Sequence, residues 1–216
     1  MMKLVLLGLV LLPQDRIPSD RHPWLRHTPG AKAAYKSTLQ YGALTQEGGL
    51  TYALTEAGDD GRYTISVKAA QLGQEATSEE TFGAPAKTGA ETIRVGDRDF
   101  ACTIWTSTGR RGGKPQTARW WIADGAPLPL RVHLAVEGEE DFDVTAQALD
   151  EALTIDGRRY ACMRLEGRSR TGGEESRVVL WSSPEVPGGV VRLTGAGTLK
   201  GQRITSTLEI TAASAK

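Results

Sequence analysis

Surplus charge, closely spaced cysteines, catalytic signatures and helical periodicity are all missing from this sequence. Twenty-six Lys and Arg balance 26 Asp and Glu. A nucleic-acid binder displaces counterions from phosphate with an excess of cations, so the balance argues against that partner. Only two cysteines occur, Cys102 and Cys162. They stand far outside the C-x-x-C spacing of a redox centre. No G-x-S-x-G elbow and no H-E-x-x-H helix is written in the chain. His22 and His27 lie in a Pro-rich segment without the ligand spacing of a zinc site, and His133 sits within an alternating strand. Neither an enzyme, a metal nor a cofactor is expected.

Long apolar runs are missing too, with one short exception. Residues 4–12 are apolar apart from Gly8 and follow Lys3. Nine helical residues span only about 14 Å, half a bilayer core, so the run is not a spanning segment. A short positive region and an apolar core followed by Pro13, Gln14 and Asp15 is the pattern of a signal peptide. Residues 1–13 are therefore expected to direct export, placing the chain in the periplasm or outside the cell. Neither an A-x-A-like site nor a cysteine for lipid attachment follows them.

What the chain does have is alternation. Leu50, Tyr52 and Leu54 alternate with polar or small residues, as do Tyr63, Ile65 and Val67, with Asp59-Asp60-Gly61 between the two runs. Period-two patterning bounded by turn residues is the strand signature. Ile204, Ser206, Leu208 and Ile210 form a similar row, and the 25 glycines fall mainly between such runs.

An internal similarity organises the second half. Residues 91–102 read ETIRVGDRDFAC and residues 151–162 read EALTIDGRRYAC. Gly96-Asp97 suits a type II′ turn and Asp156-Gly157 a type I′ turn, so each copy specifies a tight hairpin. Phe100 then matches Tyr160, and Cys102 matches Cys162. Arg111-Gly112-Gly113 matches Thr171-Gly172-Gly173, and Arg119-Trp120-Trp121-Ile122 is set beside Arg177-Val178-Val179-Leu180. The expected fold is all-β: a large antiparallel, strongly curved sheet or incomplete barrel made of meanders, duplicated over about 90–148 and 150–212. About four strands are expected before residue 83, within a single domain spanning 31–216 and preceded by an extended segment at 14–30.

Four groups of residues could carry function. Related strands packed across one core would bring Cys102 and Cys162 together, and an oxidising compartment would favour a disulfide; the alternative is two buried thiols. Arg110 and Arg111 in one loop and Arg168 and Arg170 in the other could hold an anionic head group. Residues 108–114 outline a phosphate-binding loop, but Thr108 replaces a required Gly and Pro115 a required Ser or Thr. Glu137, Glu139, Glu140, Asp141 and Asp143 lack EF-hand spacing and read as a hydrated turn. Trp120 and Trp121 must point to opposite sheet faces, so one of them could line a concave ligand groove.

The motifs G-D-R-D-F-A-C and D-G-R-R-Y-A-C, with His22-Pro23-Trp24-Leu25-Arg26-His27-Thr28-Pro29-Gly30 before the first strand, resemble uncharacterised bacterial exported β-sheet proteins. At the level of fold alone, a curved many-stranded sheet resembles the bacterial lipoprotein-carrier proteins. That resemblance implies an acyl-binding concave face, although this sequence has no covering helix. The expected function is a non-enzymatic protein that binds a lipid or other amphipathic ligand on a concave sheet. The alternative is a structural module that contacts an envelope protein partner. Export has a direct test: N-terminal sequencing of the mature protein should find its first residue between Pro13 and Arg21, whereas an intact Met1 would show that no signal is removed.

Overall fold

A computed structural model describes residues 16–199 and 201–215, so the expected signal segment lies outside the described residues. Four strands come first: β1 (Lys32–Tyr41), β2 (Leu44–Ala57), β3 (Tyr63–Gln71) and β4 (Gln74–Phe82). Next are β5 (Ala86–Val95), β6 (Arg98–Arg111), β7 (Lys114–Ala123) and β8 (Arg131–Val136). The chain ends with β9 (Glu140–Ile155), β10 (Arg158–Thr171), β11 (Glu174–Ser182), β12 (Val190–Leu199) and β13 (Gln202–Ser214). The only helical element is a 3-10 turn at Ser19–Arg21 among the described residues.

All strands are antiparallel and belong to one sheet, and each pairs mainly with its neighbour in sequence. Two further pairings decide the shape. β1 lies against β13 along its whole length, from Lys32 opposite Ser214 to Tyr41 opposite Ile204. β4 and β5 lie end to end along one edge of β6: Glu80, Thr81 and Phe82 oppose Arg111, Arg110 and Gly109, while Ala86 to Val95 oppose Thr106 to Arg98. β4 and β5 thus serve as one interrupted strand. The sheet expected to stay open closes into a twelve-stranded up-and-down barrel, with β5 as a thirteenth strand alongside. Closure removes most of the exposed edge that a sheet this size would otherwise carry.

Register recurs with a shift of 60 residues. Glu80 opposite Arg111, Glu91 opposite Cys102 and Ile93 opposite Phe100 return as Glu140 opposite Thr171, Glu151 opposite Cys162 and Leu153 opposite Tyr160. Asp156 and Gly157 both have positive φ (47° and 79°), as a type I′ turn requires, whereas Gly96 (58°) is positive without its neighbour, as type II′ requires. Phe100 and Tyr160 are each 5% exposed and Cys102 and Cys162 each 2%, while Ala101 and Ala161 face solvent.

One alignment needs correcting. Ile104 opposite Trp121 corresponds to Arg164 opposite Trp181, so Trp121 matches Trp181 and Arg119 matches Val179, two residues from the Arg177 expected. A second correction concerns the cysteines. Both are free thiols. Cys102 packs with Ile93, Phe100 and Trp121, and Cys162 packs in a different cluster with Tyr35, Val186 and Ile210. Their strands stand four places apart in the sheet, about 19 Å at 4.8 Å per strand, against the roughly 7 Å that a disulfide can bridge. Burial pushes both thiols up from their usual range, to about 11 for Cys162, which leaves them unreactive.

Sharp bending lets a sheet of this size close. A Cβ on Gly109 would overlap the carbonyl oxygen of Thr81, and one on Gly167 that of Asp143. Both lie where a neighbouring strand's backbone comes close, so any side chain would force the backbones apart. Gly109→Ala and Gly167→Ala should therefore each cost about 3 kcal/mol in urea unfolding. Gly89→Ala, which would meet only Ile104 Cδ1 at 3.5 Å, should stay within about 0.5 kcal/mol.

Candidate functional site

A barrel of eight strands is just filled by its own side chains, and one of sixteen encloses a water channel. Twelve strands leave a lumen too wide for the wall to fill, so something else must occupy it or it stays open. Here each half takes a different solution.

The half away from the β1–β2, β3–β4, β6–β7, β8–β9, β10–β11 and β12–β13 turns is plugged. Ile17 and Trp24 pack against Tyr63, Phe82, Trp105 and Trp120. His22 is fully buried with its ring edge-to-face against Tyr63 (5.1 Å) and Trp120 (4.8 Å). The loops after β7 and β11 hold this segment in place. Arg21 donates to the Ala123 carbonyl (3.3 Å) and pairs with Asp124, and the Gly188 N–H donates to the Pro23 carbonyl (3.0 Å). Gly188, at φ 79°, lies against the indole of Trp24, where a Cβ would meet the ring at 2.6 Å.

His22 is the chemical centre of the plug. Its Nδ1 accepts from the N–H groups of Trp24 (3.2 Å) and Leu25 (3.1 Å), which places the proton on Nε2. Burial holds its pKa down to about 3, far below the usual 6.5.

The other half of the lumen is open. Phe142, Val178, Leu193 and Ile204 form an apolar floor across β9, β11, β12 and β13. Ser169, Thr171, Ser176 and Ser206 supply hydroxyls beside it, and Glu174 stands at the mouth. The pocket holds about 340 Å³, within the range of a small-molecule site. Gly195, on its wall, carries no side chain to fill it. Farther round the inner wall, Glu80 is buried and pairs with Arg111 (3.2 Å), and Gln116 donates to the carbonyls of Thr81 and Arg110. Beside Glu80, burial pushes the Tyr63 phenol well above its usual range.

The residues singled out from the sequence lie elsewhere. Trp120 (4% exposed) is in the plug core, and Trp121 (5%) lies on the opposite face, so neither lines the open pocket. Arg111 faces inward to Glu80, and Arg110 donates to the Gly113 carbonyl (2.8 Å). Arg168 and Arg170 alternate with Ser169 and point away from the lumen, Arg170 pairing with Glu175 (3.2 Å). The two basic loops share one end of the barrel, but the β8–β9 turn with Glu137 and Glu139 stands between them. Its Glu139 pairs with Lys114 of the first loop (2.5 Å).

Sequence reasoning missed two indole–carboxylate pairs. Trp121 Nε1 donates to Glu91 (2.6 Å), and Trp181 Nε1 donates to Glu151 (2.8 Å). Both carboxylates open the matched segments at 91 and 151. The 60-residue shift carried without a gap past Gly112-Gly113 and Gly172-Gly173 would have aligned the two tryptophans. Arg98 over Phe100 and Arg158 over Tyr160, each 4.8 Å from the ring centroid, repeat in the same way.

The outer wall carries ion pairs, most of them between strands. Arg131 grips Asp143 through two hydrogen bonds (2.9 and 2.7 Å), Arg192 pairs with Glu209, and Glu166 accepts from both Arg164 and Arg177. The Arg131 hydrogen bonds hold the Asp143 carboxyl below the usual carboxylate range. In a membrane-spanning barrel this wall would be an apolar band. No helix among the described residues is long and apolar enough to cross a membrane. No protein-family model matches the chain, and no curated protein matches it in sequence.

His22 sets an expected pH dependence. The unfolded chain protonates it near pH 6.5 and the folded chain only near pH 3. Its contribution is therefore complete above pH 6.5 and is lost as pH falls from there towards 3, at about 1.4 kcal/mol per pH unit. His22→Asn, whose side-chain oxygen can accept in place of Nδ1, should show a shallower loss of stability over that window in urea titrations.

Proposed function

We propose that this chain is an exported, non-enzymatic barrel that holds an amphipathic ligand in the open half of its lumen. One observation carries the reading: an apolar floor and a set of hydroxyls share one wall of a pocket that opens at the turn end of the barrel. The apolar part of the ligand lies on Phe142, Val178, Leu193 and Ile204. Its polar part meets Ser169, Thr171 and Ser206, with Glu174 at the mouth. Apolar contact supplies affinity, and the few hydroxyls set orientation. The plug forms the bottom of the cup and keeps a bound tail from running through the barrel.

Export rests on the Lys3 and residue 4–12 pattern.

The test is displacement of a fluorescent fatty-acid analogue, with native mass spectrometry of protein expressed in the periplasm as a second readout. Ser176→Trp fills the lumen from β11 and should weaken binding at least about tenfold. Arg177→Trp adds the same bulk to the outer wall of the same strand and should leave it unchanged. Equal binding by both variants, or none by the parent chain, would discard the lumen as a ligand site and favour the envelope module.

A further inference from the structure

Leu44 and Leu72 are the exposed large hydrophobic residues among those described, 73% and 81% accessible. Each stands at a hairpin turn, Leu44 at β1–β2 and Leu72 at β3–β4, on the same end of the barrel as the pocket mouth. Leu72 is also held at φ 51°, in the left-handed region that a bulky side chain seldom adopts. Gly or Asn would sit there without strain, so local folding does not explain the leucine.

The β3–β4 hairpin is unpaired along much of its β4 edge, while β3 stays paired with β2 as far as Gln71. Glu80 opposes Arg111 at the last residue of β6, which leaves Gln74 to Glu79, about 20 Å of strand, beyond the neighbouring turn. Residues 70–79 are exposed on both faces. Between Ala69 and Gln74, and again between Gln40 and Gln46, no residue is charged, whereas the β6–β7, β8–β9 and β10–β11 turns carry charges and Arg203 of β13 lies beside Leu44. Along the two hairpins, Lys68 pairs with Glu75 (2.8 Å) and Lys36 with Glu47 (2.6 Å), so neither presents net positive charge.

We propose that this end of the barrel docks on a zwitterionic phospholipid bilayer, with Leu72 and Leu44 inserted at the interface. The proposal rests on the lumen reading for its purpose, since docking would bring the pocket mouth to the surface from which an amphipathic ligand is taken. The two leucines project from hairpin tips, Leu44 at the rim of a hollow with Gln202 and Arg203 and Leu72 at the rim of one with Ala69 and Glu75. A fluid hydrocarbon phase accepts such side chains, whereas a protein partner would need a matching pocket for each. Insertion is driven by buried apolar area, and paired charges match a surface without net charge.

Flotation with phosphatidylcholine vesicles tests this. The parent chain should float, and Leu72→Asn and Leu44→Asn should each lower the bound fraction on the order of tenfold. Asn tolerates positive φ, so Leu72→Asn should melt no lower than the parent, which separates lost docking from lost folding. Failure of the parent to float, or flotation of both variants to the same extent as the parent, would overturn the proposal. So would flotation only with phosphatidylglycerol vesicles that salt abolishes, because charge would then be the cause. A chain that binds the soluble fatty-acid analogue but does not float overturns docking alone. One that floats without binding the analogue keeps docking and overturns the lumen reading.

Discussion

The closeness of β4 to β6 at Gly109 is the constraint on which the barrel depends. β6 has one edge and two partners for it, β5 along its first part and β4 at its end. The hand-over occurs at Gly83, whose N–H donates to the Thr108 carbonyl (2.8 Å), beside the position where Gly109 meets Thr81. Without that approach β4 would end as a free edge and the lumen would be a groove. The size of the lumen, the need for a plug and the two-sided use of the wall all follow from closure.

Much of this was legible in the alternation of residues. Tyr63, Ile65 and Val67 on one face, the two hairpin turns and the opposite facing of Trp120 and Trp121 follow from a two-residue period, which is local. Closure was not legible, because it depends on whether distant strands pair, and Gly109 reads the same in a turn, a bulge or a seam. The open pocket escaped for a related reason. Phe142, Ser176, Leu193 and Ser206 come from four strands and carry no motif; only the barrel brings them together. The arginine loops show the opposite relation of sequence to placement. Their sequence similarity is clear, but Glu80 reaches Arg111 from another strand and Glu175 reaches Arg170 across the turn.

Charge balance acquires a structural meaning from the outer wall. Some of the acidic and basic residues meet in cross-strand pairs, which individually contribute little at a solvated surface. Opposite charges placed across from one another fix register more than they stabilise. Arg131 with Asp143 and Arg192 with Glu209 sit between successive strands near the two long connecting loops, where a one-residue slip would turn the buried row outward.

The pairing of β1 with β13 bears on how the molecule comes into being. Apart from the short pairing of β4 with β6, every other strand pairing is made by neighbours along the chain, so those hairpins can form as they emerge. The last seam joins Lys32 to Ser214, and the loop it closes is nearly the whole described chain. Long-range pairings of this kind form late and slowly. Until β13 is available, β1 offers an unpaired edge and the plug has only part of its walls. A chain in that condition carries an unpaired strand edge until its last residues are made, and such an edge is a template on which another chain can pair.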